Sequence, residues 1–385
     1  MITRRTFVGA TMGTAMASLL WPSTLGAKSV GAKRLLLVVM RGATDGLAMV
    51  PPIGDPQFAS IRGPWLEAGP APRKISSDFA LAPQLSTIAG MYEAGDALPV
   101  HAVATAYRER SHFDAQNLLE TGGTKPYALR DGWLNRLLGM LDSTPSHGLA
   151  IAPTIPVALQ GSQPVTSYAP NAIPDAEEDF LTRVASLYPD DSRLQQTWEA
   201  GIAVKAEAGA VSLKNLKSAA DAGALSARLM LPQDGARIAM IDLPGWDTHS
   251  QQPSRLARGL AKLDALVGAF REGISTVWQD TLVVVVTEFG RTVAINGTGG
   301  TDHGTGSAGF LLGGSIRGGR VLADWPGLAS NALYEGRDLR PTTSLEMLLA
   351  GALAEHFALD PERTAKTLFP GRPSAVIGGL IATES

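Results

Sequence analysis

The chain has 385 residues, a formal net charge of −3, 45% hydrophobic and 18% charged residues, and no cysteine. Its length and apolar content support a large buried core and exclude a disordered chain; its charge gives no electrostatic basis for binding nucleic acid or an anionic membrane surface. Without cysteine there is no disulfide framework and no thiolate, so a bound metal must be held by carboxylate oxygen and imidazole nitrogen.

The chain opens with "TRRTF" (Thr3 to Phe7), the small-residue apolar run "VGATMGTAMASLL", and "WPSTLGAKSVGAK". A charged start, a modest apolar stretch and small residues near a cleavage point read as a secretory signal over residues 1–32. The paired Arg4 and Arg5 with Phe7 make it the twin-arginine version, delivered to the export machinery for periplasm or secretion. The run is shorter than the roughly 20 residues a bilayer crossing needs, so cleavage after Ala27 or Ala32 is expected rather than a stable membrane anchor.

Residues 33–385 are the expected mature domain. "LLLVVM" (Leu35 to Met40) is a continuous apolar strand that breaks into a glycine turn, and "ALPVHAVAT" (Ala97 to Thr105) and "HGLAIAP" (His147 to Pro153) are two more. A polar, alanine-rich stretch over about 175–232 predicts a helical insertion. "ARIAMID" gives a strand ending near Ile241. The stretch after "GWDTH" predicts a helix with Leu256, Leu260, Leu263, Leu266, Val267 and Phe270 along one stripe. "TLVVVV" is the most apolar strand, "SAGFLLGG" is another, and "TSLEMLLAGALAEHFAL" is a helix with Ser344 or a neighbouring Thr as N-cap. Continuous aliphatic strands alternating with amphipathic helices predict an α/β fold, with a mostly parallel sheet covered on both faces.

In such a sheet, ligands bind beyond the carboxyl ends of the strands. The turns there carry Arg41 and Asp45 after the first strand, and Arg108, Arg110, Ser111, His112 and Asp114 after the second. Asp242, Asp247 and His249 follow "IAMID"; Glu288, Arg291, Asp302 and His303 follow "TLVVVV". Carboxylates and histidines from separate segments, meeting at one sheet edge, suit a divalent cation: zinc with imidazole and carboxylate, or manganese, magnesium or calcium with more oxygen. Asp247 and His249 are two apart, so an extended segment points both at one ion. Each residue also has an ordinary role. Asp45 or Asp302 alone is a common turn former, and Glu288 can simply pair with Arg291. His101 within a strand and His356 within a helix read as structural.

The segments "RGATDGL", "SHFDAQNLLETG", "DGWLNR", "GWDTHSQQ", "TEFGRTVAINGTGGTDHGTG", "GGRV" and "DWPGL" together resemble the bacterial domain-of-unknown-function family 1501 over nearly the whole mature length. By motif order, that family is similar to the alkaline-phosphatase and sulfatase superfamily. The resemblance implies a three-layer α/β/α sandwich with one or two divalent cations at the strand ends. It implies Asp45 as a first metal carboxylate, Asp247 and His249 as a metal pair, and His303 as a last metal histidine. Glu288 and Asp302 complete the expected metal surroundings. Ser111 or His112 falls at the nucleophile position, and Arg41 and Arg291 become candidates for stabilising an anion. "TEFGR" departs from the superfamily pattern, with Glu288 for an aspartate and Arg291 where a histidine is expected. The expected function is an exported metal-dependent hydrolase or transferase acting on a small phosphate or sulfate ester or an envelope glycan. The alternative is a non-catalytic envelope binding or assembly protein that keeps a degenerate metal pocket.

Overall fold

The computed structural model describes residues 33–67, 69–141, 147–168, 195, 198 and 218–382. The signal over 1–32, with its cleavage point, and nearly all of the insertion before Ser218 lie outside the described residues.

Strand β1 (Arg34–Arg41) is followed by helices α1 (Gly46–Met49) and α2 (Phe58–Glu67) and a short antiparallel pair, β2 (Arg73–Lys74) and β3 (Ala80–Leu81). Next come α3 (Ser86–Ala94), β4 (Ala97–Ala104), α4 (His112–Thr121) and α5 (Trp133–Leu138). Strands β5 (Gly148–Ala150) and β6 (Val165–Ser167) precede α6 (Ala219–Met230), β7 (Ile238–Pro244) and α7 (Gln252–Gly273). Strands β8 (Thr281–Val286), β9 (Ser307–Leu312) and β10 (Thr343–Ser344), then α8 (Leu345–Phe357) and α9 (Pro361–Leu368), complete the chain.

Apart from β2 and β3, the strands form one eight-stranded sheet in the order β10-β4-β9-β8-β1-β7-β5-β6. Strand β1 lies at its heart, parallel to β7 (Leu35 opposite Ile238) and to β8 (Leu35 opposite Leu282). Only β9 runs against its neighbours, antiparallel to both β4 and β8. The expected mostly parallel sheet is therefore present, with one reversed strand that aliphatic patterning does not distinguish.

Side chains alternate across a strand, so a strand buried on both faces must be apolar at every position. In β1, Leu36, Val38 and Met40 enter one core with Ile88 of α3, Leu229 of α6 and Leu263 and Leu266 of α7. Leu35, Leu37 and Val39 enter the other, with Trp133 of α5, Leu349 and Leu353 of α8 and Leu368 of α9. Each such side chain contributes roughly 1.5–3 kcal/mol on burial. Helices on both faces make the expected three-layer α/β/α sandwich. His101 and His356 are buried, with Nε2 bonded to the Val50 and Arg34 carbonyls, both at 3.0 Å. Burial lowers their pKa values to about 4 and about 3, so both are neutral within the core.

Candidate metal centre

The carboxyl ends of β1, β4, β7 and β8 share one edge of the sheet, and the reversed β9 begins there. At this edge the loops after β4, β7 and β8 bring His112, Asp247, His249 and His303 together. His303 Nε2 lies 2.9 Å from His112 Nε2, 3.0 Å from His249 Nε2 and 3.2 Å from Asp247 Oδ1. Asp247 Oδ1 is also 3.0 Å from His249 Nε2 and 3.7 Å from His112 Nε2. Donor atoms of His112, Asp247 and His303 all fall within 4.8 Å of one another.

The other nitrogen of each ring explains the arrangement. His112 Nδ1 faces Glu288 Oε1 at 2.9 Å, His249 Nδ1 faces Asp302 Oδ1 at 3.2 Å, and His303 Nδ1 faces the Arg110 carbonyl at 3.1 Å. All three partners are acceptors, which assigns a proton to every Nδ1, so that each ring when neutral keeps its lone pair on Nε2. Lone pairs on His112 and His303 Nε2, 2.9 Å apart, repel each other and Asp247 Oδ1 unless a proton or a metal cation lies among them. His249 Nε2 adds to this at 3.0 Å from both His303 Nε2 and Asp247 Oδ1. Imidazoles oriented by acceptors on their far nitrogens are the usual surroundings of a metal ion. The donor set is three nitrogens and one oxygen, which fits zinc better than an oxygen-seeking ion such as magnesium or calcium.

Local sequence builds each part. Gly42, just after β1, has φ of +120°, and a Cβ there would stand 2.5 Å from the Asp247 backbone nitrogen. Only glycine lets this turn support the "GWD" segment while its N–H donates to Glu288 Oε1 at 2.8 Å. Arg110 holds a left-handed φ of 59°, unusual for a residue with a side chain, and its carbonyl accepts from His303. His112 and Gln116 are four apart on α4 and share a face, so both reach Glu288 Oε1, Gln116 at 3.0 Å.

Electrostatics follow these contacts. The Glu288 hydrogen bond raises the His112 pKa, outweighing the opposing effect of burial. Burial lowers that of His303, and the charges of His112 and Arg291 add to the drop. Burial alone would raise Glu288, but hydrogen bonds from His112, Gln116 and Gly42 hold it below the ordinary carboxylate value. At Asp247 burial again opposes ionisation, and the Arg291 hydrogen bond with the neighbouring His249 charge prevails, lowering the pKa.

Other residues expected from sequence occupy different positions. Asp45 is buried at the N-cap of α1, where it accepts from Leu47 and Ala48, pairs with Arg62 at 2.6 Å and accepts from Gln252 at 2.5 Å. Its oxygens are occupied, so it is a structural cap and not one of the converging donors. Glu288 and Asp302 face the Nδ1 atoms of His112 and His249, so they stand behind those rings and not among the converging donors. Arg41 is tied to Glu120 and to Asp242, both at 2.8 Å, and is not free to clamp an anion. Arg291 is 2% exposed, donates to Asp247 Oδ1 at 2.9 Å and is otherwise spent on Thr301 and the Gly42 carbonyl. It orients Asp247 rather than facing a ligand. His112, one of two nucleophile candidates, turns its lone pair into the cluster as a fourth donor. Ser111 stands at the N-cap of α4, where its hydroxyl caps nothing. The i, i+4 spacing of His112 and Gln116 is the one sequence signal at this position, and only the fold shows that their shared face meets Glu288.

The family model described as "Protein of unknown function (DUF1501)" matches residues 32–368. No curated protein matches the chain. Among solved structures, BT1596, a 2-O GAG sulfatase, is similar at 9% identity and a TM-score of 0.43, over 89% of this chain and 75% of that one. The C-terminal periplasmic domain of EcEptC from Escherichia coli, in complex with Zn, has 9% identity and a TM-score of 0.36, over 74% of each chain. An inactive murine ectonucleotide pyrophosphatase/phosphodiesterase 5 in complex with AMP has 14% identity and a TM-score of 0.34, over 67% of this chain. The chain spans 57% of the length of that murine protein. Among the described residues, no helix is long and apolar enough to cross a membrane.

Proposed function

This chain belongs to the DUF1501 family of proteins of unknown function, and from its site we propose a metal-dependent hydrolase or transferase of phosphate or sulfate esters. We propose further that residues 1–32 are a twin-arginine signal, that residues 33–385 are the mature domain with an inserted segment, and that the protein works in the periplasm or outside the cell. The family match beginning at residue 32 supports that division.

One observation carries the functional reading: donor atoms of His112, Asp247 and His303 share one space, His249 Nε2 lies 3.0 Å from both His303 Nε2 and Asp247 Oδ1, and each ring is held through Nδ1 by an acceptor. The proposed ligands are His112, Asp247, His249 and His303, and the proposed ion is one zinc. Bound there, a divalent cation would supply Lewis-acid polarisation of an ester oxygen. Glu288 and Asp302 keep two ligand rings in the required tautomer, and Arg291 holds the carboxylate ligand ionised and in place. Ser111, directly beside His112, is the nucleophile in this reading, and its hydroxyl proton must pass to a neighbouring base.

Metal analysis of purified protein, beside His303→Ala, tests the centre. About one equivalent of zinc in the wild type and little in the variant is expected; a wild type free of metal after zinc- and manganese-supplemented expression overturns it. Turnover of a phosphomonoester, phosphodiester or sulfate ester that Ser111→Ala abolishes tests the chemistry.

A second reading is a binding protein without turnover. Its specific support is that Arg41 and Arg291, the arginines expected to clamp an anion, are both committed to protein carboxylates. Metal binding with no turnover across those ester classes favours this reading.

A further inference from the structure

Arg108 lies in the loop between β4 and α4, four residues before the proposed ligand His112. Its Nη1 donates to the carbonyls of Thr105 and Tyr107, the latter at 2.7 Å, which fixes the guanidinium plane. Arg108 and Arg110 flank the Tyr334 ring, each with Cζ 6.0 Å from its centroid. The two differ in how their charge is balanced. Arg110 pairs with Asp338 at 2.8 Å and Glu335 at 2.5 Å, whereas among the described residues no carboxylate lies within 4.0 Å of Arg108. Burial, aided by the charge of Arg372, lowers the Arg108 pKa against the pull of Tyr334 and Glu346. Nε and Nη2 make no hydrogen bond among the described residues, and neither is a fully buried unpartnered atom, so this edge keeps some contact with solvent.

A guanidinium edge of this kind presents two parallel N–H groups at the spacing of two oxygens on one phosphorus or sulfur atom. Here one nitrogen is already spent on orienting the group, so little side-chain freedom remains to be lost on binding. The same loop carries Ser111, His112 and the Arg110 carbonyl that holds His303. We propose that the Nε–Nη2 edge of Arg108 is an oxyanion subsite that receives a phosphate or sulfate group by a bidentate hydrogen bond. Unlike Arg41 and Arg291, Arg108 has an edge not already bonded to protein among the described residues. The proposal rests on the ester reading only for the identity of the group bound. It also explains why a half-buried arginine is held by two carbonyls of its own loop and left without a counter-ion.

Calorimetric titration of inorganic phosphate, and separately of sulfate, into the full chain tests this, with the protein either zinc-loaded or stripped by a chelator. Arg108→Gln is expected to weaken binding of at least one anion tenfold or more in both preparations while retaining its zinc content. Arg108→Lys, which keeps the charge and loses the fork, is expected to fall between. Anion binding to the stripped protein separates this subsite from the metal centre, because loss of the metal reading leaves that arm intact. Failure of the stripped wild type to bind either anion overturns the proposal, as does Arg108→Gln affinity within twofold of wild type. Loss of zinc together with anion binding in a folded Arg108→Gln protein also overturns it, since that is the result for a loop staple. Should Arg108→Gln not fold, phenylglyoxal labelling of the wild type decides: phosphate or sulfate must protect Arg108 from modification, and equal labelling with and without both anions overturns the proposal.

Discussion

Glu288 accepts three hydrogen bonds on one oxygen, from Gly42, His112 and Gln116, and a fourth on the other from Thr287. An amide at this position can turn an N–H toward His112 Nδ1 and displace its proton to Nε2, where the lone pair is needed. Glu288→Gln should therefore weaken zinc binding roughly 10- to 100-fold, read by competition with a chromogenic chelator, with little change in the folded spectrum. The same contact sets a pH dependence. His112 is raised above its ordinary value of 6.5 in the metal-free protein, so its proton competes with the ion earlier than a free imidazole would. Zinc affinity should be full above that raised pKa and decline as pH falls through it, beginning on the alkaline side of 6.5, and Glu288→Gln should shift the onset to lower pH. Asp45 gives the opposite contrast. It is 1% exposed and paired with an Arg62 that is 2% exposed, so Asp45→Ala leaves a buried guanidinium without its partner. A loss of about 3–5 kcal/mol in denaturant unfolding is expected, with zinc stoichiometry unchanged in the folded fraction.

At the scale of elements, the site depends on turns more than on the strands that carry them. Gly42→Ala must fit a Cβ 2.5 Å from the Asp247 nitrogen at a φ of +120°. The "GWDTH" turn should be pushed away before the sheet fails, so zinc affinity should drop at least roughly tenfold while far-ultraviolet circular dichroism is kept. How much of this was legible in the sequence differed by element. The strands at 34–41, 97–104 and 281–286 announce themselves because burial on both faces forces long apolar runs, broken in 97–104 only by His101. The long helix at 252–273 declares itself by its Leu stripe, whose members pack in one core. The direction of β9 is not legible, since "SAGFLL" is as apolar as a parallel strand and only its partners decide its polarity. At the site, the shared side of Asp247 and His249 could be read from their spacing, while their meeting with "TDHG" is expected from the strand ends both turns follow and from the family resemblance. The donor role of His112 could not be read directly, because it depends on Glu288 lying 2.9 Å from the far side of the ring. Asp45 misleads for a related reason: sequence shows an acidic turn residue and hides Arg62, which occupies it.

For the whole molecule, the proposed ligands come from three loops spread between residues 112 and 303 and meet only when the sheet is assembled. An ion that binds this arrangement and not the unfolded chain must stabilise the fold. Free zinc at 100 times its Kd should add about 2.7 kcal/mol to unfolding. That gain should appear as a higher Tm, be removed by chelator, and be absent in His303→Ala. No such zinc response from a folded wild type would count against a centre built from distant segments. The same dispersal explains why composition alone points only to a large buried core: each donor, on a turn or at the start of α4, is unremarkable until topology brings it to the edge.

The reversed β9 has a consequence for how this edge can change over generations. Strand β8 leaves the sheet at this edge and β9 re-enters at the same edge, so the chain between them, residues 287–306, begins and ends on one side. That excursion carries Glu288, Arg291, Asp302 and His303 together. It is also packed into the interior: Phe289 lies against Ala43 and Ala115, Val293 sits among Leu47, Phe58 and Leu339, and the buried Arg62 donates to the Thr292 and Val293 carbonyls. A parallel β9 would have required a return crossing over a helix layer, binding every alteration of the site to the packing beneath it. With β9 reversed, the chain crosses no helix layer between Glu288 and His303, yet a change in this excursion still touches stability through the buried Phe289 and Val293.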